Sequence, residues 1–554
     1  SFCQFEEFMT AHVANAEPSK GLAPKWKVLI SVVFGIFMVI LDTTVVNVAF
    51  RTIQSDLNVN VNDAQWVLSV YVLALGISTP ISGFMADRFG LKKTYLTGLS
   101  IFVLGSLLCG LSPNLTTLVI ARAIQGVGGG LAVPLGTAFI FAAFPPNEQG
   151  KALGFFGIAL VLAPALGPIL GGWLVDLNLW RWIFFINLPI GLTGIFLASR
   201  WLPTTPPRGS SQIDVLGIIT AVVGFGAVLY AATIAADRGW TDSSVITWFV
   251  VGGVALIIFA LVELFFAKDP LLDLRLFKKP TFLIASLVGW VSVVALFGAE
   301  FLLPLYLQIL RGRTALGTGV MLLPLAVAAG FATPIAGRLY DKFGPRIFVV
   351  SGFALLLVNT WQLSQLKADT PISWILFLLF LRGLALGLTV QTTFVTALSV
   401  VPLSQVPRGS ALVNSTRQVI QSIGVAILAT ILASTTSAAT KDFQTQMQEQ
   451  TAAQTATTTV KHQAFGLCET PGVAADKNLP PGTEQAPAFV QAQIKTAVDR
   501  ACQEQVLGFE KTYKFTFYAA IVALILGLFL PGWPLKWAGR RSSDEPAAVP
   551  AGGH

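Results

Sequence analysis

Two ionisable residues stand inside long apolar runs, where charge is costly. Asp42 lies in Ile40-Leu-Asp-Thr-Thr-Val-Val-Asn47, and Arg122 opens Arg122-Ala-Ile-Gln125-Gly-Val-Gly-Gly-Gly130. A charge in hydrocarbon needs a partner or a function. Asp42 falls about 24 Å along its run from Trp26 at ~1.5 Å per helical residue. Arg122 reaches a similar depth on a run directed the other way, so the two can pair. Such a pair is a candidate functional site. A purely structural buried pair is the other reading. Glu300 and Arg382 are further intramembrane charges. Glu300 either joins that site or reaches the outer interface, and Arg382 pairs with Glu300 or with a backbone carbonyl. Asn47, Gln125, Gln391 and Asn414 are candidate polar groups of a substrate cavity.

Other chemistries lack their residues. The phosphate-binding pattern Gly-x4-Gly-Lys-Ser/Thr does not occur, which argues against ATP drive. The three histidines, His12, His462 and His554, lie outside the apolar runs, so no metal cluster or histidine relay is expected. No nucleophile–base pair suggests hydrolysis. The expectation is a protein that is not an enzyme, with no cofactor and no metal.

The elements that must hold these residues are membrane helices. The 554 residues are 54% hydrophobic and 12% charged, with mean hydropathy +0.71, whereas soluble domains carry about 25% charged residues. Apolar runs of membrane length predict fourteen spans, at about 26–48, 65–86, 95–112, 117–141, 152–175, 180–201, 213–234, 244–266, 281–303, 317–337, 347–364, 372–398, 410–436 and 513–533. The first follows a polar segment, lacks a small-residue cleavage site and contains Asp42, so it reads as a retained helix rather than a signal peptide. Lys and Arg concentrate on one side of the short connections, as at Lys25, Lys27, Arg88, Lys92, Lys93, Lys278, Lys279 and Arg346. That bias places both termini in the cytoplasm. The basic residues ring membrane ends rather than forming one patch, so no nucleic-acid partner is expected.

A charged turn appears twice: Gly83-Phe-Met-Ala-Asp87-Arg88-Phe-Gly90-Leu-Lys92-Lys93 and Gly337-Arg-Leu-Tyr-Asp341-Lys-Phe-Gly344-Pro-Arg346. Gly83 to Gly337, Asp87 to Asp341 and Gly90 to Gly344 keep one interval, which indicates internal duplication. The expected division is a segment 1–25, a six-helix half 26–201, a linker with two extra helices 202–280, the first five helices of a second half 281–436, a large outer loop 437–512, a last helix 513–533 and a tail 534–554. Pro164, Gly167, Pro168, Gly171 and Gly172 crowd one span and predict a bent, closely packed helix. Ser410 is a plausible N-cap for the run from 410. The loop offers possible helices over 441–465 and 487–511. Cys468 and Cys502 share that loop, and a disulfide and two free thiols both remain open there.

Together these features resemble the major facilitator superfamily, and within it the fourteen-helix drug:proton antiporter branch. The similarity rests on Asp42–Asn47, Gly83–Lys93, Arg122–Gly130, Pro164–Gly172, Trp180-Arg-Trp-Ile-Phe-Phe-Ile-Asn187-Leu-Pro189, Asp269-Pro-Leu-Leu-Asp273-Leu-Arg-Leu-Phe277 and Ser410–Gly424. It implies an all-α membrane protein of the major-facilitator fold, with two six-helix halves plus two inserted helices. It also implies a secondary transporter, a monomer in the cell membrane driven by a proton gradient, exporting amphipathic, hydrophobic or cationic compounds by alternating access, with Asp42, Arg122 and Glu300 as the coupling set in which a proton and a cationic substrate compete for one charge. The Gly83–Lys93 turn would be a gating latch, with Asp87 facing the start of the thirteenth helix and Arg88 and Lys92 holding neighbouring helix ends. Its second copy has Pro345 where the first has Leu91, so the first is expected to be the stronger latch. Ala165-Leu166 between the prolines, Glu300 and the long loop depart from the family pattern. An exporter of lipids or of one metabolite fits the same fold. A non-transporting receptor or scaffold using the 437–512 loop, or an accessory partner docked there, is the alternative of another class.

Overall fold

The computed structural model describes residues 22–145, 148–204, 214–267, 269–437, 440, 465–470, 478–480, 483 and 487–533. The expected helix over 441–465 and the tail from 534 lie outside the described residues. Among the described residues there is no strand.

Apolar sequence in hydrocarbon must satisfy its backbone internally, and helices do so. The long helices are α1 (Pro24–Asp56), α2 (Val61–Phe89), α3 (Leu91–Leu111), α4 (Leu115–Ala143), α5 (Gln149–Asp176), α6 (Asn187–Trp201) and α7 (Val215–Arg238). They continue as α8 (Ser243–Leu261), α9 (Pro280–Leu305), α10 (Leu323–Phe343), α11 (Pro345–Leu363), α12 (Ile372–Ser399), α13 (Val406–Ser434) and α14 (Ala488–Gly527). Short polar residues set the starts. Asn60, Asn114 and Asp214 each accept a backbone N–H three residues on, and Asp242 accepts one two residues on. Gly90 (φ 92°) and Gly344 (φ 78°) break α2 from α3 and α10 from α11, a backbone region open to glycine.

Among the described residues, twelve helical stretches are long and apolar enough to cross a membrane, against the fourteen expected. They include α1–α8 and α10–α13. α9 contributes a shorter apolar stretch, Pro280–Leu296. α14 begins well before the expected 513: it has 40 residues, about 60 Å at ~1.5 Å each, twice a ~30 Å hydrocarbon core. Its first half carries Lys495, Asp499, Arg500 and Glu504, while the expected 513–533 run supplies its apolar second half.

α1–α6 pack as one bundle, with α2 on α4, α3 on α4, and α1 on α5 and α6. In the second bundle α12 packs on α10 and α11, while α14 packs on α9 and α11. The bundles meet along two seams, α2–α13 and α5–α10. α7 and α8 pack on each other, and α7 lies against both α2 and α13, along the first seam. Outward-facing Phe331, Ile335, Ile257 and Phe529 are exposed, as a lipid-facing surface requires.

Two ends can be told apart. One carries both glycine-bounded turns. The other carries a strap, residues 465–470, whose Leu467, Cys468 and Glu469 N–H groups donate to the carbonyls of Ile309 and Leu310 beyond α9. Cys468 is disulfide-bonded to Cys502 of α14. Arg311, itself buried, pairs with Glu469 at 2.5 Å.

Candidate functional site

Asp42 of α1 and Arg122 of α4 meet at 2.5 Å, each about 1% exposed. The same guanidinium group donates from Nε to the Val67 carbonyl of α2 (3.0 Å) and from Nη1 to Gln125 Oε1 (2.7 Å). Its plane lies 4.0 Å from the Tyr71 ring centroid. Asp42 is fully engaged. Oδ2 takes Arg122, and Oδ1 takes Gln125 Nε2 (2.9 Å) and Asn187 Nδ2 (2.7 Å). Asn187, at the start of α6, also donates to Ser106 Oγ of α3 (3.0 Å). A buried pair is tolerable when its remaining lone pairs are met, and here they are. The network therefore joins α1, α2, α3, α4 and α6 through one carboxylate. It is sealed inside the first bundle, so a cation would reach Asp42 only after these helices part. Asn187 stood in the Trp180–Pro189 motif but not among the expected coupling residues. Its signal was a carboxamide inside an apolar run.

The remaining expected residues fall elsewhere. Arg382 of α12 is buried and held by the carbonyls of Ala295 (2.9 Å) and Leu296 (2.7 Å) on α9, with Asn359 at 3.3 Å. Backbone, one of the two partners expected for it, is present among the described residues. Glu300 stands about one turn further along α9, and its side chain lies outside the described residues. Asn47 is exposed on α1. Gln391 is buried on α12, its Cγ 2.9 Å from where a Cβ at Gly157 of α5 would stand, so it packs across the halves. Asn414 donates to the Ser410 carbonyl of its own helix at 2.8 Å. Ser410 is not an N-cap, because α13 already begins at Val406. Instead its hydroxyl reaches Thr137 Oγ1 (2.6 Å) and the Pro134 carbonyl (2.9 Å) of α4, the carbonyl to which Thr137 also donates (2.8 Å). A small cavity of about 20 Å³ lies between α9, α12 and α13, lined by Ser286, Trp290, Phe394 and Arg417 among others.

The two turns do cross between halves. Asp87, at the end of α2, takes Arg408 Nε of α13 at 2.6 Å. Asp341, at the end of α10, takes the N–H groups of Gly150 (3.0 Å) and Lys151 (3.2 Å) at the start of α5. A helix N-terminus favours an anion. So one copy uses a guanidinium and the other a helix end. Gly83 and Gly337 let the backbones close: a Cβ at Gly83 would stand 3.0 Å from Arg408 Cα, and one at Gly337 only 2.2 Å from the Gly150 carbonyl oxygen. Arg88 lies over the Phe89 ring, Lys92 sits in the first turn of α3, and Arg346 donates to the Leu528 carbonyl at the end of α14. Arg346 thus holds the end of a neighbouring helix. The proline-rich α5 packs on both sides. Gly167 and Gly171 admit Thr44 and Val45 of α1, Gly172 admits Leu316, and Pro168 lies beside Gly319. Pro164 lies inside the same helix.

Residues 32–425 match the family model for the Major Facilitator Superfamily. The chain is 37% identical over 403 residues to the uncharacterized MFS-type transporter YhcA of Bacillus subtilis, covering 73% of this chain and 76% of that protein. It is 30% identical over 409 residues to the lincomycin resistance protein LmrB of the same organism (74% and 85% covered). It is 32% identical over 394 residues to a multidrug resistance protein B homolog of Mycobacterium tuberculosis (71% and 73% covered). Among solved structures, the human organic anion transporter MFSD10 superposes with TM-score 0.52 at 15% identity, over 74% of this chain and 94% of that one. The proton:xylose symporter XylE gives 0.52 at 14% identity, over 72% and 87%. These two share the fold. With duplicated turns, two helical bundles and a match over most of its length, the chain belongs to the Major Facilitator Superfamily and is a multi-pass membrane transporter of small molecules, not an enzyme.

Proposed function

We propose that the protein exports hydrophobic or cationic amphipathic compounds across the cell membrane in exchange for protons. The turn end faces the cytoplasm, as the Lys and Arg bias favours. The observation that carries the coupling is the Asp42 carboxylate, which holds side chains of α4 and α6 at once. A proton on Asp42 removes the anion to which Arg122, Gln125 and Asn187 all point, and leaves a buried guanidinium without its counter-charge. The bundle must then repack. Coupling in this reading is mechanical: the proton changes how α1, α4 and α6 fit, and α5, packed on α1, carries the change to the seam with α10. Direct competition between proton and drug for Asp42 is not needed. The names of the resistance-protein relatives support a drug-type substrate.

The test is transport into everted membrane vesicles with an imposed pH gradient. Cationic dyes and lincosamide-type drugs should accumulate, and a protonophore should abolish the accumulation. Accumulation that ignores the protonophore would refute proton drive. Movement of fluorescent phospholipid but of no dye or drug would favour a lipid exporter on the same fold.

A further inference from the structure

The inserted helices hold a pair of carboxyl groups that the coupling network does not use. Glu263 lies in the π-helical turn Val262–Phe266 that ends α8 and is 2% exposed. Its Oε1 accepts the Leu271 N–H at 3.1 Å, while Oε2 is buried with no hydrogen-bond partner. Asp214 caps α7, its Oδ1 accepting the Gly217 N–H at 2.7 Å, and its Oδ2 is likewise buried and unpartnered. Both carboxyl groups approach Gly217: a Cβ there would lie 2.3 Å from Asp214 Oδ2 and 3.0 Å from Glu263 Oε1, the oxygen that takes the Leu271 N–H. Among the described residues, the other charges around Glu263 are few. Arg408 of α13 acts on it through space, as Asp214 does. In the linker that follows, Asp273 caps its own turn through the Arg275 N–H, and Arg275 donates to the Leu264 carbonyl. Neither Asp273 nor Arg275 is bonded to Glu263. Arg408 is the same residue that holds Asp87.

Two neighbouring carboxyl groups with bare, buried oxygens cannot comfortably both ionise, and a proton shared between the pair supplies the missing donor. We propose that Glu263 and Asp214 form a second proton-binding site, closed together with the Asp87–Arg408 latch. With the latch shut, the pair retains one proton and carries one negative charge. When the turn end opens, water reaches Glu263, the proton passes from its carboxyl to that water, and the pair becomes a dianion. Arg408 is then drawn away from Asp87 toward the pair, which holds the latch open. The inserted helices are thereby a pH-sensing element seated beside one seam, independent of Asp42. This role rests on the exporter reading for its meaning, but the proton site itself does not.

The site is tested on the purified protein by infrared pH-difference spectroscopy. The wild type should show a protonated-carboxyl stretch that disappears with rising pH. Glu263→Gln should remove it, and Asp42→Asn should keep it. A wild type without such a band, or an unchanged band in Glu263→Gln, overturns the proposal. Should Glu263→Gln fail to fold, Glu263→Asp must move the band in frequency, and an unmoved band has the same overturning force. The link to the latch is read from spin labels at Lys93 and Ser404 across the turn end. Their distance should widen with pH in the wild type and stay short in Glu263→Gln; equal widening in both overturns the link. If vesicles show no proton drive yet these spectra behave as stated, the exporter reading falls and the site stands.

Discussion

Asp42 is satisfied by three side chains from two neighbouring helices, and the energetics of that arrangement are testable one donor at a time. A hydrogen bond to a charged group contributes about 1.5–3 kcal/mol. Asn187→Leu should therefore lower thermal stability in detergent by about that much. Ser106→Ala, which removes the acceptor of the other Asn187 contact and the donor to the Phe184 carbonyl, should cost about 1–3 kcal/mol for two neutral bonds. An unchanged melting curve for Asn187→Leu would show that the carboxylate does not need the Asn187 donor. The pairing of Asp42 with Arg122 was legible in the sequence, because two opposite charges at matching depth in apolar runs have few alternatives. Asn187 was harder to assign. A lone carboxamide in a membrane helix can face a lipid-exposed cap, a cavity or a partner, and only the rotation of α6 about its axis decides which. The same rotation problem left the partner of Arg382 open between a carboxylate and backbone.

At the scale of elements, the α5–α10 seam depends on close approach at the turn end. Gly337→Ala would drive a methyl group to 2.2 Å from the Gly150 carbonyl oxygen, so the seam must spread. Transport should fall sharply, and a cysteine at Lys151 should label faster with a soluble thiol reagent. Gly330→Ala on the same helix meets nothing within 4 Å and should be neutral or slightly stabilising, since helical Gly costs roughly 0.5–1 kcal/mol relative to Ala. Equal loss in both would show that α10 tolerates no added methyl anywhere, and would remove the seam as the cause. The strap makes a second prediction. The Cys468–Cys502 bond closes a loop with sequence separation 34, and such a link typically contributes about 2–4 kcal/mol. Cys502→Ser should lower the melting temperature measurably while leaving dye binding intact; an unchanged melting curve would show that the backbone bonds to Ile309 and Leu310 suffice. Duplication of the turns could be read from the repeated glycines and aspartates. The resemblance placed Asp87 at the start of α13, where Arg408 stands; the α5 N-terminus as partner of Asp341 could not be read, since it lies far away in sequence.

For the whole molecule, hydropathy and internal repetition gave the architecture of two bundles, because both follow from the hydrocarbon solvent and not from tertiary detail. Hydropathy alone ended α14 at the membrane, but the possible helix over 487–511 does continue it outward from Ala488, where α13 and the disulfide support it. Hydropathy also could not place α7 and α8, whose apolar faces fit any lipid-facing groove. Contacts with α2 and α13 locate them beside one seam and bring Glu263 near Arg408. The account as a whole stands on Asp42 being the coupled proton's site. The most direct measurement is drug-induced proton movement in proteoliposomes containing wild-type or Asp42→Asn protein, with drug binding measured on the same samples. The account predicts proton release on drug addition for the wild type, and none for the variant although it still inserts and binds drug. Proton release of the same size from Asp42→Asn would contradict it.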